Sequence, residues 1–309
     1  MPTEPGILGA MKGKKSGETI AIIGAGRLGS SLARSLDEAR YQITEIVCRQ
    51  NPRSLAKAAR LAREVKARVS FVRRAALDAD VIWFCVPDSE IAAVAATLTG
   101  RDLLSKIALH PSGVLSSDVL QCLRERGAYV ASVHPLMTFV DGSQPALEGV
   151  PFAIEGDAAA ERVARGIVKK LGGRAFKIRS HEKDAYHAFA TMVCPLLISL
   201  LATSENVAAV AGMSAREARR RMLPIVRQTL VNYEQLGAVT SFSGPIVRGD
   251  VATIERHLKA LNKTPEGKRV YSALAAAALK FLPSGNSKAI ARLVGAPSRT
   301  NRRKQKLSR

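Results

Sequence analysis

The segment Thr19-Ile-Ala-Ile-Ile23 runs directly into Gly24-Ala25-Gly26-Arg27-Leu28-Gly29. A continuous apolar strand of this kind is buried on both faces, as in a parallel sheet. The glycine pattern follows it at once and opens a helical pattern from Arg27 to Glu38. That strand–turn–helix context is what the G-x-G-x-x-G fingerprint needs before it implies a dinucleotide. Gly24 permits the tight turn, Gly26 lets the backbone approach a diphosphate, and Gly29 lets helix and strand pack closely. The first helical turn, with Arg27 and Leu28, offers free N–H groups to phosphates.

The remainder of the first half keeps this alternation, which implies a doubly wound, mostly parallel sheet. Strands are expected over 42–48, 69–72, 81–86, 106–109 and 129–133, with a β–α–β extension over 150–178. Helices are expected over 27–38, 52–65, 89–98 and 116–124. From His181 onward the pattern is helical: 181–212, 215–235, 250–261, 265–281 and 288–293. Pro195 should kink the first of these. The expected organisation is therefore a disordered N-terminal segment 1–17, a dinucleotide-binding α/β domain 18–180, an all-α domain 181–295 and a basic disordered tail 296–309.

The end of the second strand selects the nucleotide. A site for an unphosphorylated ribose places an Asp or Glu there. The chain instead reads Val47-Cys48-Arg49-Gln50-Asn51-Pro52-Arg53, with Glu45 too early in the strand. Arg49 and Arg53 provide planar donors suited to a 2′-phosphate, so the expected cofactor is NADP(H). Lys57 and Arg60 read as a solvated helix face.

Ligands in open parallel sheets lie beyond the carboxyl ends of the strands. At those ends stand Val86-Pro87, which could line the nicotinamide ribose, with Asp88 or Ser89 as a helix cap. His110-Pro111-Ser112-Gly113 and His134-Pro135 end the next two strands. Ser112 and Gly113 could present a hydroxyl and a close N–H to a substrate, with His110 and His134 beside them. Lys183, His187 and Thr191 share one helix face at i, i+4 and i+8. Lys183 by itself reads as a solvated first turn. In Gly244-Pro245-Ile246-Val247-Arg248-Gly249-Asp250, Asp250 caps the next helix and Arg248 could clamp an anionic group.

Composition excludes several classes. Lys and Arg number 47 against 26 Asp and Glu, a net charge of +21. Six positive charges and no acid lie in 298–309, where no aromatic residue is interleaved for base stacking, so a nucleic-acid role is not expected. Four cysteines, without a C-x-x-C pair, give neither a disulfide framework nor a zinc site and suit a cytoplasmic protein. The longest uncharged apolar run, 188–202, is shorter than the ~20 residues a spanning helix needs, and reads as a buried core or interface helix. No secretory signal is evident, since no apolar core follows Lys12, Lys14 and Lys15 before the first strand.

Taken in order, Gly24–Gly29, His110-Pro-Ser-Gly, His134-Pro-Leu-Met-Thr-Phe139, Tyr186-His187 and Gly244-Pro-Ile-Val-Arg-Gly-Asp250 resemble the bacterial family that joins a Rossmann-like domain to DUF2520. More distantly the chain is similar to pyrroline-5-carboxylate reductases, β-hydroxyacid dehydrogenases and ketopantoate reductases. The resemblance implies a helical C-terminal domain of 6-phosphogluconate-dehydrogenase type and a homodimer formed through it. Ser112-Gly113 is similar to the substrate-binding Ser-Gly of β-hydroxyacid dehydrogenases. Relatives often carry Ser-Asn where this chain has Cys194-Pro195.

The expected function is NADP(H)-dependent reduction of a small, anionic 2-oxo acid or imine. His187 is the first choice for proton donor, Lys183 the next. Ser112 and Gly113 orient the acceptor and Arg248 holds its carboxylate. The alternative is an NADP(H)-binding sensor or assembly protein without turnover, to which the Cys194-Pro195 departure points.

Overall fold

The computed structural model describes residues 19–296. The N-terminal segment and the basic tail beyond Ala296 lie outside the described residues. The chain divides into two compact units, the first through Thr191 and the second from Met192.

The first unit is built on one sheet of eight strands in the order β3-β2-β1-β4-β5-β6-β7-β8. The strands are β1 (Thr19–Ile23), β2 (Gln42–Cys48), β3 (Arg68–Phe71), β4 (Val81–Phe84), β5 (Ile107–His110), β6 (Tyr129–Pro135), β7 (Pro151–Gly156) and β8 (Arg174–Lys177). All neighbouring pairs are parallel except β6–β7. The chain order reverses at β1 and β4, which lie side by side, so their carboxyl ends open the crevice where ligands bind in such sheets.

Helices α1 (Arg27–Glu38), α2 (Pro52–Glu64), α3 (Asp88–Ala96), α4 (Gln121–Arg124) and α5 (Ala158–Lys170) accompany the strands. One apolar layer gathers Ile20, Ile22, Leu36, Ile46, Trp83 and Phe152. The other gathers Ala21, Ile23, Ile82, Phe84, Ile91 and Leu120. Alternate residues of β1 thus serve opposite faces, as the strand period requires. The expected helix 116–124 is in fact a 3-10 turn (Ser117–Leu120) followed by the short α4.

The expected boundary near 180 falls inside the first unit. Helix α6 (Lys183–Val193) is carried mostly by that unit, because Lys183 is inserted into it. The helix does not continue through Pro195. It stops at Cys194 (φ −120°, ψ −82°), and α7 (Pro195–Val210) restarts with the proline at its first position, where the missing N–H costs nothing.

The second unit is helical throughout among the described residues. Helix α8 (Ala215–Ser241) is bent at Gly237, and α9 (Pro245–Arg248), α10 (Val251–Ala260), α11 (Pro265–Phe281) and α12 (Ser287–Leu293) follow. Its small core joins Ile254, Leu258, Ala275, Leu279, Ile290 and Val294. Helix α7 contributes no buried residue, and Leu196 and Ile198 are exposed. The run 188–202 is therefore not the buried helix expected of a core. By length and composition alone, 180–210 would suffice to cross a bilayer, but the break at Cys194 divides it.

Candidate functional site

Gly24 ends β1 at φ +110°, and a Cβ there would lie 2.3 Å from the Cys85 carbonyl oxygen. Only glycine makes this turn. Gly29 packs on it, since a Cβ at 29 would fall 2.1 Å from the Gly24 oxygen. Gly26 differs: nothing lies within 4 Å of its Cβ position, and it caps α1 without any side-chain hydrogen bond. The uncapped N–H groups of α1 therefore face open space, as a diphosphate requires.

That space is a cavity of about 260 Å³ whose lining includes Gly24, Gly26, Arg49, Arg53, Val86 and Pro87. Six of the nine residues expected to hold the cofactor thus converge there. Of the remaining three, Arg27 lines a smaller adjoining cleft, Leu28 faces the apolar layer and Gly29 supports the turn. At the rim, Arg49 is ion-paired with Glu90 of α3, while Arg53 and Lys57 enter no ion pair among the described residues. Glu45 is fully buried and serves elsewhere. It accepts hydrogen bonds from Ser70 Oγ, Leu77 N (2.9 Å) and Ala76 N (3.2 Å) and pairs with Arg68. Burial alone would raise its pKa, but these partners together hold the carboxyl below its usual value.

A second cluster occupies the carboxyl ends of β5 and β6. The Ser112 hydroxyl donates to Asp88 Oδ2 (2.7 Å) and accepts from Leu115 N (3.0 Å) and Val114 N (3.3 Å). Its one proton is committed, so this hydroxyl orders the loop and has no donor left for a ligand. Asp88 is correspondingly not a helix cap; Pro87 holds the cap position of α3 without a side-chain bond. His110 is fully buried, its Nδ1 accepting from Ser112 N (3.2 Å) and its Nε2 donating to Ser116 O (3.2 Å). Burial first, then the Lys183 charge, push its pKa to about 3. It is a neutral structural imidazole with both nitrogens in use.

Lys183 is the largest surprise. It is 1% exposed, and its ammonium donates to Ser132 Oγ (2.7 Å) and the Ser112 carbonyl (3.1 Å). The Ser132 hydroxyl in turn donates to the same carbonyl at 3.1 Å. Burial depresses the Lys183 pKa, partly opposed by Glu155 and Asp88. The solvated first turn expected of this lysine does not exist, because a single polar stem on an apolar helix buries readily when acceptors await it.

His134 on β6 bonds through Nδ1 to the Tyr186 hydroxyl at 2.9 Å. Burial raises the tyrosine pKa to about 12, while burial, Lys183 and His187 lower that of His134 to about 4. Both groups are thus neutral, and a phenol that donates to Nδ1 leaves the His134 proton on Nε2. His187 lies edge-on to His134, with ring centroids 6.1 Å apart. Both imidazoles press on Gly113, where a Cβ would lie 2.5 Å from His187 Cδ2 and 2.8 Å from His134 Nε2. This face of Gly113 is filled by imidazole, and only a glycine admits it.

Ser112, Gly113, His110, His134, Lys183 and His187, dispersed in sequence, are thus one neighbourhood within the first unit. Arg248 lies in the second unit, exposed at the end of α9. Asp250 caps α10 as expected, accepting from Thr253 N at 3.0 Å. Sequence reasoning missed Ser132, Glu155, Tyr186 and Glu90 as participants. Tyr186 follows Lys183 by one helical turn and could have been found on that spacing. Nothing local marks Ser132 or Glu155, which read as ordinary strand residues.

A reversed-order parallel sheet, an uncapped glycine turn and a polar cluster on the adjoining strand ends define a Rossmann-like dinucleotide-binding protein. Residues 19–109 match the family model described as NADP oxidoreductase coenzyme F420-dependent, and residues 150–278 match the domain of unknown function DUF2520. The chain thus joins an NADP-oxidoreductase domain to a DUF2520 domain. That second match begins at β7, inside the first unit.

Solved structures share the fold. The NADP-oxidoreductase candidate BF3122 from Bacteroides fragilis is 21% identical, with 85% of this chain and 98% of that chain covered and a TM-score of 0.72. A reductive aminase from Aspergillus terreus, solved with NADPH and ethyl-5-oxohexanoate, is 17% identical over 89% and 99% of the two chains, with a TM-score of 0.62. A pyrroline-5-carboxylate reductase from Coxiella burnetii is 14% identical over 87% and 100%, with a TM-score of 0.56. No curated protein matches the chain.

Proposed function

We propose that the protein reduces the C=O or C=N bond of a small 2-oxo acid or imine with NADPH. The observation that carries this reading is the meeting of Lys183, His134 and His187 around Ser112–Gly113, one strand beyond the β1/β4 crevice. The residues present fit the cofactor: an uncapped helix start at Gly26, a turn only Gly24 can make, and Arg49 and Arg53 where the 2′-phosphate would lie. When bound, NADPH supplies the hydride.

The protein's own residues do the rest. His187 donates a proton to the acceptor oxygen or nitrogen, and the neutral His134 offers that atom a hydrogen bond from Nε2–H. Tyr186 holds His134 in the tautomer that keeps this proton forward. Lys183 fixes the Ser112–Gly113 backbone on which both imidazoles rest and adds positive charge beside the developing anion. The exposed apolar residues Met192, Leu196 and Ile198, with Ile225, Leu230 and Val239 of α8, support a homodimer formed through the helices. A cytoplasmic location suits the NADPH requirement.

The alternative, an NADP(H) sensor without turnover, is favoured by Cys194-Pro195, which provides no side-chain amide at a position where the family resemblance implies one. One experiment separates the two. NADPH oxidation is followed over a panel starting with ketopantoate and cyclic imines, alongside NADPH calorimetry. Turnover on any member supports the reductase; tight binding with no turnover selects the sensor.

A further inference from the structure

We infer that Glu90 is a specificity-determining residue, an internal counter-ion that occupies Arg49 until a 2′-phosphate replaces it. This rests on the cofactor reading above and extends it to a residue of α3. The cavity beside the glycine turn is lined by Arg49, Arg53 and Lys57 and by one acid, Glu90. Glu90 is ion-paired with Arg49, joining the β2 wall of the cavity to the α3 wall. Arg49 is 55% and Glu90 35% exposed on their side chains, so both can exchange partners without unfolding. Glu90 is not needed to cap its helix, whose start at Pro87 takes no side-chain bond.

A ribose 2′-phosphate carries up to two negative charges and binds guanidinium bidentately. It displaces the carboxylate from Arg49, and Glu90 is then left beside a dianion. Two effects therefore oppose the phosphate: loss of the existing pair and repulsion from the freed carboxylate. Neither opposes a nucleotide with a plain 2′-OH. Glu90 thus lowers affinity for the phosphorylated cofactor selectively, while Arg53 and Lys57, which enter no ion pair among the described residues, are available to receive it. The carboxylate also keeps a cation cluster from capturing unrelated anions.

The test uses full-length protein and calorimetry with NADPH, NADH, adenosine 2′,5′-bisphosphate and AMP. In Glu90→Gln, NADPH and the bisphosphate should bind about two- to fivefold more tightly, the range of a partly exposed charge pair. NADH and AMP should be unchanged, and Glu90→Asp, which keeps the charge, should restore wild-type values. Raised salt should shrink the difference between wild type and Glu90→Gln. Unchanged or weaker NADPH binding in Glu90→Gln, or an equal gain for NADH, overturns the assignment while leaving the cofactor reading intact. A wild type that binds neither NADPH nor the bisphosphate overturns both.

Discussion

The Tyr186 hydroxyl lies 2.9 Å from His134 Nδ1, and a phenol donating there leaves the imidazole proton on Nε2. Tyr186→Phe removes the donor and frees Nδ1. The expected result is a mixed tautomer population at His134 in nitrogen NMR and a stability loss of about 0.5–1.5 kcal/mol. Retention of a pure Nε2–H tautomer would show that the phenol does not set it.

The buried imidazoles make stability depend on pH. His110 and His134 have folded pKa values of about 3 and about 4, below the ordinary 6.5. Between those values and 6.5 the unfolded chain binds more protons than the folded one. Stability is therefore full above pH 6.5 and falls as pH drops towards 4, at up to about 1.4 kcal/mol per pH unit for each group. Denaturant titrations at successive pH values should show this slope, and it should flatten in His134→Gln. A flat wild-type profile between pH 7 and 5 would contradict the burial argument.

Two glycines of one loop should separate folding from binding. Gly24→Ala forces a Cβ to within 2.3 Å of a carbonyl oxygen at φ +110°. It should cost roughly 1–3 kcal/mol or more. Gly26→Ala meets no atom within 4 Å, so thermal stability should hold while NADPH binding weakens. Unimpaired NADPH binding by Gly26→Ala would place the diphosphate elsewhere.

Arg49→Asp replaces the 2′-phosphate donor with an acceptor for a 2′-OH. It should weaken NADPH binding about ten- to hundredfold, the worth of a charge-assisted hydrogen bond, and shift preference towards NADH. Calorimetry with both cofactors reads this directly; an unaltered NADPH affinity would remove Arg49 from the site.

His187→Ala should lower turnover with NADPH affinity unchanged, because the side chain lies beside Gly113 and outside the lining of the nucleotide cavity. Wild-type turnover in this variant would transfer the proton-donating role to His134 or Lys183.

The glycine turn and the sheet were legible because their signals are local: a strand, three glycines and a helix in immediate succession. Arg49 was legible by its place at the end of β2. The partners of these residues were not, because they arrive from distant segments. Asp88 reads as a cap until Ser112 is brought to it across the strand ends. Lys183 reads as solvated until Ser132 and Ser112 supply acceptors inside the protein. The end of the first unit at Thr191 was likewise hidden, because apolar helical periodicity continues from α6 into α7, while the contacts of Lys183, Tyr186 and His187 that hold α6 to the first unit come from distant strands.

Glu45 has a consequence for redesign. The acid carried by β2 is enclosed, bonding the corner where β3 turns towards Leu77. It is a fastener of the scaffold and cannot be recruited to greet a sugar hydroxyl. A change of coenzyme must therefore be written into the surface residues that follow Cys48 and into Glu90, which pairs with the first of them, and the interior need never learn of it. Ancestry or engineering can thus exchange one nucleotide for the other while the frame that holds it stays as it is.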